Sequence, residues 1–115
     1  MTDLAGASII VLGATGGLGR EFARQLADAG ALLTLTGRSM LALDDLDIAG
    51  AALIPADLTE PGDAKKVVAA ALTAHGRLDG IIVASGAVAF GPLAETADET
   101  LDALWAINVL APLRV

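Results

Sequence analysis

The chain has no cysteine and no tyrosine, and among its 115 residues there are one tryptophan, two phenylalanines and one histidine. The lack of cysteine excludes disulfides, thiol nucleophiles and zinc ribbons together. A single histidine with no thiolate to help it leaves no structural zinc site, so no metal is expected. Positive charge is scarce: 7 basic residues face 14 acidic ones, for a net charge of −7. That sign argues against clamping nucleic-acid phosphates or lying on an anionic membrane. Long apolar runs are missing too. The longest uncharged stretches, Leu4–Gly19 and Gly80–Ala94, are broken by Gly or Pro and fall short of the roughly 18 residues that a spanning helix needs. Met1-Thr2-Asp3 carries no basic n-region, so no signal peptide is expected and a cytoplasmic location is the default.

The residues that are present suit a folded domain. At 55% hydrophobic and 18% charged, the chain is too apolar for a disordered segment. Its length suits one domain, 1–115, able to bury about two thirds of its unfolded surface. The apolar residues are mostly Ala and aliphatic, as expected for helices lying on a sheet buried on both faces.

Two kinds of segment alternate. Ser8–Leu12, Leu32–Thr36, Ala51–Ile54 and Gly80–Ala84 are short apolar runs, rich in β-branched residues and bounded by Gly or Pro, and they predict buried strands. Leu18, Phe22, Leu26 and Ala29 recur at helical spacing, as do Ala64, Val67, Val68, Ala71 and Leu72. Gly30 is expected to close the first of these helices and His75-Gly76 the second. A weaker helical stretch lies between Arg38 and Gly50, and Thr96-Ala97-Asp98-Glu99 predicts a capping box opening the last helix. Strand–helix alternation implies a doubly wound parallel sheet with right-handed crossovers. Pro55, which can donate no ladder bond, suits an edge for the third strand, in agreement with a strand order of 3-2-1-4.

Between the first strand and the first helix runs Val11-Leu12-Gly13-Ala14-Thr15-Gly16-Gly17-Leu18-Gly19-Arg20. Glycine suits a tight turn, close approach of a phosphate to backbone, and close packing of helix on strand. The helix N-terminus adds unpaired N–H groups and partial positive charge for a pyrophosphate. Gly13, Gly17 and Gly19 fit G-x-x-x-G-x-G, while Gly13, Gly16 and Gly19 fit G-x-x-G-x-x-G.

This turn, with Gly37-Arg38 after the second strand, Asp57-Leu58 after the third, Ser85-Gly86 after the fourth and Asn108 in the last helix, resembles the short-chain dehydrogenases/reductases over essentially the whole chain. The resemblance implies a Rossmann-type sheet cut before its fifth strand, and a nicotinamide dinucleotide held by Gly13, Thr15, Gly16, Gly17, Leu18 and Gly19. Arg38 stands at the crevice edge where an NAD site places a carboxylate. The nearest carboxylate here is Asp44. An Arg can pair a 2′-phosphate and stack on adenine, which favours NADP over NAD; a solvated surface Arg is the alternative. By resemblance, Asp57 and the Leu58 backbone contact the adenine amino group. Asp57 could instead serve as a helix-start residue, although Thr59 is the better N-cap candidate. Ala84, Ser85 and Gly86 would lie beside the nicotinamide ribose. The family's Asn-Asn-Ala-Gly reads Val83-Ala84-Ser85-Gly86 here, which removes an amide that steadies that turn.

Leu101, Leu104, Trp105 and Asn108 share one helical face, so Asn108 is expected to be buried and to need hydrogen-bond partners. By resemblance it is the catalytic Asn that fixes a water in a proton relay; a plain buried amide is the other reading. His75 is expected to end a helix rather than to catalyse, and Asp44, Asp45 and Asp47 to be a solvated face. Phe90, Pro92 and Leu93 are placed on the near side of a substrate pocket.

The family's chemistry also needs a Tyr, a Lys four residues on and a Ser, all expected beyond Val115. A fourth strand of Ile81-Ile82-Val83 would then be a bare apolar edge, awaiting the rest of the fold or a second chain. The first reading is an NADP-dependent oxidoreductase moving a hydride between nicotinamide and a carbonyl or alcohol, in a homo-oligomer. A non-catalytic NADP-binding module and an epimerase or dehydratase of the longer family branch are the alternatives.

Overall fold

The apolar runs form strands. A computed structural model describes residues 3–115; Met1 and Thr2, part of the stretch from which no signal peptide was expected, lie outside the described residues. Strands β1 (Ser8–Leu12), β2 (Leu32–Gly37), β3 (Ala52–Pro55) and β4 (Gly80–Val83) pair in parallel in the order β3-β2-β1-β4. Pro55 ends the edge strand β3, opposite Gly37, so its missing N–H breaks no ladder. At the other edge, Ile81 and Val83 of β4 are half exposed.

Central strand β1 is buried along its whole length because both of its faces are covered. Ile9 and Val11 point to one side and pack with Leu33, Leu35, Ala23 and Leu43. Ile10 and Leu12 point to the other and pack with Val67, Ala71, Leu58 and Ala111. The first layer comes from α1 (Gly17–Asp28) and α2 (Met40–Asp44), the second from α3 (Asp63–His75) and α5 (Ala111–Arg114). Before α5 come a 3-10 turn (Leu93–Glu95), α4 (Asp98–Trp105) and a π-turn (Ala106–Leu110). No helix among the described residues is long and apolar enough to cross a membrane, and none of their acidic and histidine side chains cluster as a metal site.

Local chemistry explains most boundaries. Gly30 (φ 86°) ends α1 with paired bonds, its own N–H to the Ala27 oxygen and that of Ala31 to the Leu26 oxygen. Gly76 (φ 74°) ends α3 by donating to the Leu72 oxygen. The Ser39 hydroxyl caps α2, which is only one turn of the longer stretch expected. His75 is the last residue of α3, and its Nε2 donates to the Leu33 oxygen at 2.8 Å, a β2 carbonyl lying before β3 begins. Asp44, Asp45 and Asp47 are solvated, as expected.

Four sequence expectations are corrected. On α1, Gly19 and Ala23 are buried, while Leu18 and Phe22 are 70% and 40% exposed. The helix lies so close to the glycine turn that only small residues fit beneath it. On α3, Ala64, Val67 and Ala71 are buried but Leu72 is exposed, because it sits at the edge of the covered stripe. Neither predicted threonine cap forms. The Thr96 hydroxyl donates back to the Pro92 oxygen and leaves Ala97 as N-cap of α4. Thr59 is drawn to Asp57, and Gly62 precedes α3. The face of Leu101, Trp105 and Asn108 is open, because this helix meets the core only through Ile107, Ala111 and Val115.

Candidate functional site

The carboxyl ends of all four strands open into one cleft of about 520 Å³. The turn after β1 contributes Gly13, Thr15 and Gly16. Arg38 follows β2, Asp57 and Leu58 follow β3, and Ala84, Ser85 and Gly86 follow β4. A parallel sheet whose order reverses beside β1 leaves its crevice at this place, because the crossovers on either side depart to opposite faces.

Sterics choose among the glycines. Gly13 takes φ 74°, and a Cβ there would lie 2.6 Å from the Ser85 nitrogen, so the β1 and β4 loops touch backbone to backbone. A Cβ on Gly19 would run into the Gly13 carbonyl. Gly16 is the N-cap of α1 and donates to the Gly13 oxygen at 3.2 Å, while a Cβ on Gly17 would meet open space. Both glycine spacings therefore share the two positions that packing requires. The turn is tied down by Ala14 N–H to the Thr36 oxygen and by the Arg20 guanidinium to the Thr15 oxygen, both at 3.0 Å. The first turn of α1 carries no acidic residue and no side-chain cap, so its N–H groups remain available to an anion. Gly17, Leu18 and Gly19 lie in that turn, beside the cleft rather than in its wall.

Asp57 is built into its loop. Its Oδ1 accepts from the Thr59 hydroxyl at 2.6 Å and the Thr59 amide at 3.0 Å, while its own N–H donates to Asp63 Oδ2 at 2.8 Å. Chiefly the Thr59 hydroxyl, then the Thr59 amide, hold the Asp57 carboxyl below its ordinary range against partial desolvation, with help from the Arg38 charge. A lowered folded value means that this contribution is fully present above the unfolded carboxylate pKa of about 3.9 and is lost as pH falls through the folded one. Acidification through that lowered folded value, beneath the ordinary carboxylate range, is therefore expected to release the Thr59 amide. A carboxyl-carbon NMR titration of Asp57 checks this, and a midpoint at or above the model-peptide value contradicts it. Leu58 is buried in the core and also lines the cleft.

Asn108 departs from expectation. Its side chain is exposed, not buried, and it does not line the cleft. Its Oδ1 accepts from Ala87 N–H and its Nδ2 donates to the Ala87 oxygen, both at 2.9 Å. The amide thus pairs with Ala87 as a neighbouring strand would, and it holds the loop that carries Ser85 and Gly86. A Cβ on Gly86 would stand 3.0 Å from Asn108 Oδ1, so a side chain there would press on the amide that holds Ala87. Phe90 and Leu93 are 95% and 81% exposed, and neither they nor Pro92 line the cleft.

The sequence reading missed Thr36, Ala87, Leu104 and Ile107, all of which line it. Leu104 carried a signal, the helical face shared with Asn108. Among the described residues, Thr36 Oγ1 and Ser85 Oγ are buried at the cleft without a hydrogen-bond partner, as are Ser8 Oγ and Thr34 Oγ1 away from it.

The short chain dehydrogenase family model matches residues 7–115. The chain belongs to that family. An uncharacterized oxidoreductase of Mycobacterium tuberculosis is 46% identical over 106 residues, covering 89% of this chain and 39% of its own length. A short-chain dehydrogenase/reductase of Brucella melitensis, described as a glucose/ribitol dehydrogenase, superposes with a TM-score of 0.92 at 28% identity, over 97% of this chain and 49% of its own. A 3-ketoacyl-(acyl-carrier-protein) reductase from Brucella melitensis, solved with NADH, gives a TM-score of 0.90 at 23% identity, over 96% and 48%, and so shows the shared fold. The chain spans about two fifths of the relative and half of the two solved structures. The Rossmann-type order 3-2-1-4 is the family's arrangement.

Proposed function

We propose that this short-chain dehydrogenase segment, 1–115, is the dinucleotide-binding part of an NADP-dependent oxidoreductase acting on carbonyl or alcohol substrates. The observation that carries the reading is the cleft itself, with a helix N-terminus free of side-chain caps beside it and Arg38 at its edge. Bound there, the cofactor supplies a hydride to a carbonyl carbon or accepts one from an alcohol.

The residues of the chain bind and orient. Backbone N–H groups at Gly17 and Leu18 receive the pyrophosphate, with Gly13, Thr15, Gly16 and Gly19 shaping the turn. Arg38 pairs the 2′-phosphate, and Asp57 with the Leu58 backbone receives adenine. Ala84, Ser85 and Gly86 border the nicotinamide ribose, and Asn108 holds their loop through Ala87. The Arg38 choice of NADP rests on chemistry: no carboxylate follows β2 before Asp44, which is exposed on α2. The exposed Leu101 and Trp105 of α4 support a homo-oligomer, and the half-exposed β4 edge supports pairing with a further strand.

The proton-transferring Tyr of the family has no counterpart among the 115 residues. That favours, as second reading for this segment alone, a binding module without turnover. Both readings expect this segment to bind NADPH without turnover, which calorimetric titration and a carbonyl-reduction assay check. Micromolar binding without turnover fits the binding part, whereas no binding of NADPH or NADH contradicts both.

A further inference from the structure

The loop that receives adenine in the proposed reading is held almost entirely by itself. Within 57–63, Asp57, Thr59, Glu60 and Asp63 bond to one another. Among the described residues, one hydrogen bond reaches this loop from far away in sequence. Nη1 of Arg114, at the end of α5, donates to the Thr59 carbonyl at 3.1 Å across 55 positions. Ala111, one turn before Arg114, is fully buried against the core cluster that contains Ala56 and Leu58. The same continuous helical segment carries Asn108, whose amide grips Ala87 on the other side of the cleft. One rigid element therefore touches both loops that border the cleft.

We propose that Arg114 is a positioning residue for the adenine side of the site: it fixes the Thr59 carbonyl, and through it the Thr59 amide and hydroxyl that orient the Asp57 carboxylate. The inference rests on the NADP reading above and adds a residue to it. Arg114 lies outside the cleft lining, so it acts through the loop rather than on the ligand. Because its side chain is exposed, solvent screening brings the expected effect down to that of one ordinary hydrogen bond, about 5-fold in affinity.

The test compares two probes, adenosine 2′,5′-bisphosphate and nicotinamide mononucleotide, titrated calorimetrically against the full chain. Arg114→Met is expected to weaken the adenine-bearing probe about 5-fold and leave the mononucleotide unchanged. Arg114→Lys, which still donates a hydrogen bond, is expected to restore most of the loss. A methionine variant that binds the bisphosphate as tightly as wild type, that weakens both probes alike, or that the lysine variant does not improve upon overturns the inference while leaving the cofactor reading standing. Wild-type chain that takes up neither probe overturns the cofactor reading, and this inference with it.

Discussion

Gly19→Ala is expected to abolish dinucleotide binding and to destabilise the fold by about 2–3 kcal/mol, near the upper end of overpacking costs. A methyl group at that position has nowhere to go, because the Gly13 carbonyl already fills the space. Either α1 lifts from the turn or the turn moves, and both carry the helix N–H groups away from the cleft. For a domain of this size a loss of that order lowers the melting temperature by about 10–20 °C. Gly17→Ala is the control. Its Cβ meets open space inside the helix, so the fold is expected to gain up to about 1 kcal/mol. Thermal unfolding of the two variants, followed by NADPH titration, checks the contrast. Equal melting temperatures would contradict the packing account of the turn.

Arg38 carries the second large effect, and it is one of specificity. Arg38→Ala is expected to weaken NADPH by about 10- to 100-fold, the range for losing charge-assisted bonds to a phosphate, and to leave NADH within about 2-fold. Arg38→Asp is expected to go further and reverse the preference, since a carboxylate accepts from a 2′-hydroxyl and repels a 2′-phosphate. The side chain is exposed, so neither change should alter the melting temperature by more than about 2 °C. Paired dissociation constants for NADPH and NADH on each variant decide the matter. Parallel losses for both cofactors would return Arg38 to the role of a general cation.

Much of this was legible because local chemistry and tertiary packing agree. Each strand lies within one residue of its apolar run, since Gly or Pro punctuates every one. Pro55 announced the β3 edge through its missing N–H. The glycine turn announced the cleft, since few other needs place so many glycines between a strand and a helix. The unread features depend on distance in space rather than on spacing in sequence. The α1 stripe of Leu18 and Phe22 looked like a core face, but the approach of Gly19 to Gly13 turns that stripe outward. Thr96 and Thr59 had the composition of caps and found closer partners in Pro92 and Asp57. Asn108 is exposed rather than buried, yet its amide does find two hydrogen-bond partners. That it meets them at Ala87, in the cleft wall, while itself lying outside the lining, depends on a loop 21 residues away.

Backbone amide chemical-shift mapping of the isotopically labelled chain, titrated with NADP+, tests the central claim most directly. Saturable shifts are expected to concentrate at Gly13–Gly19, Arg38, Asp57–Leu58 and Ala84–Gly86, with little change at the opposite ends of the strands. Shifts confined elsewhere, or none at millimolar cofactor, would contradict that claim.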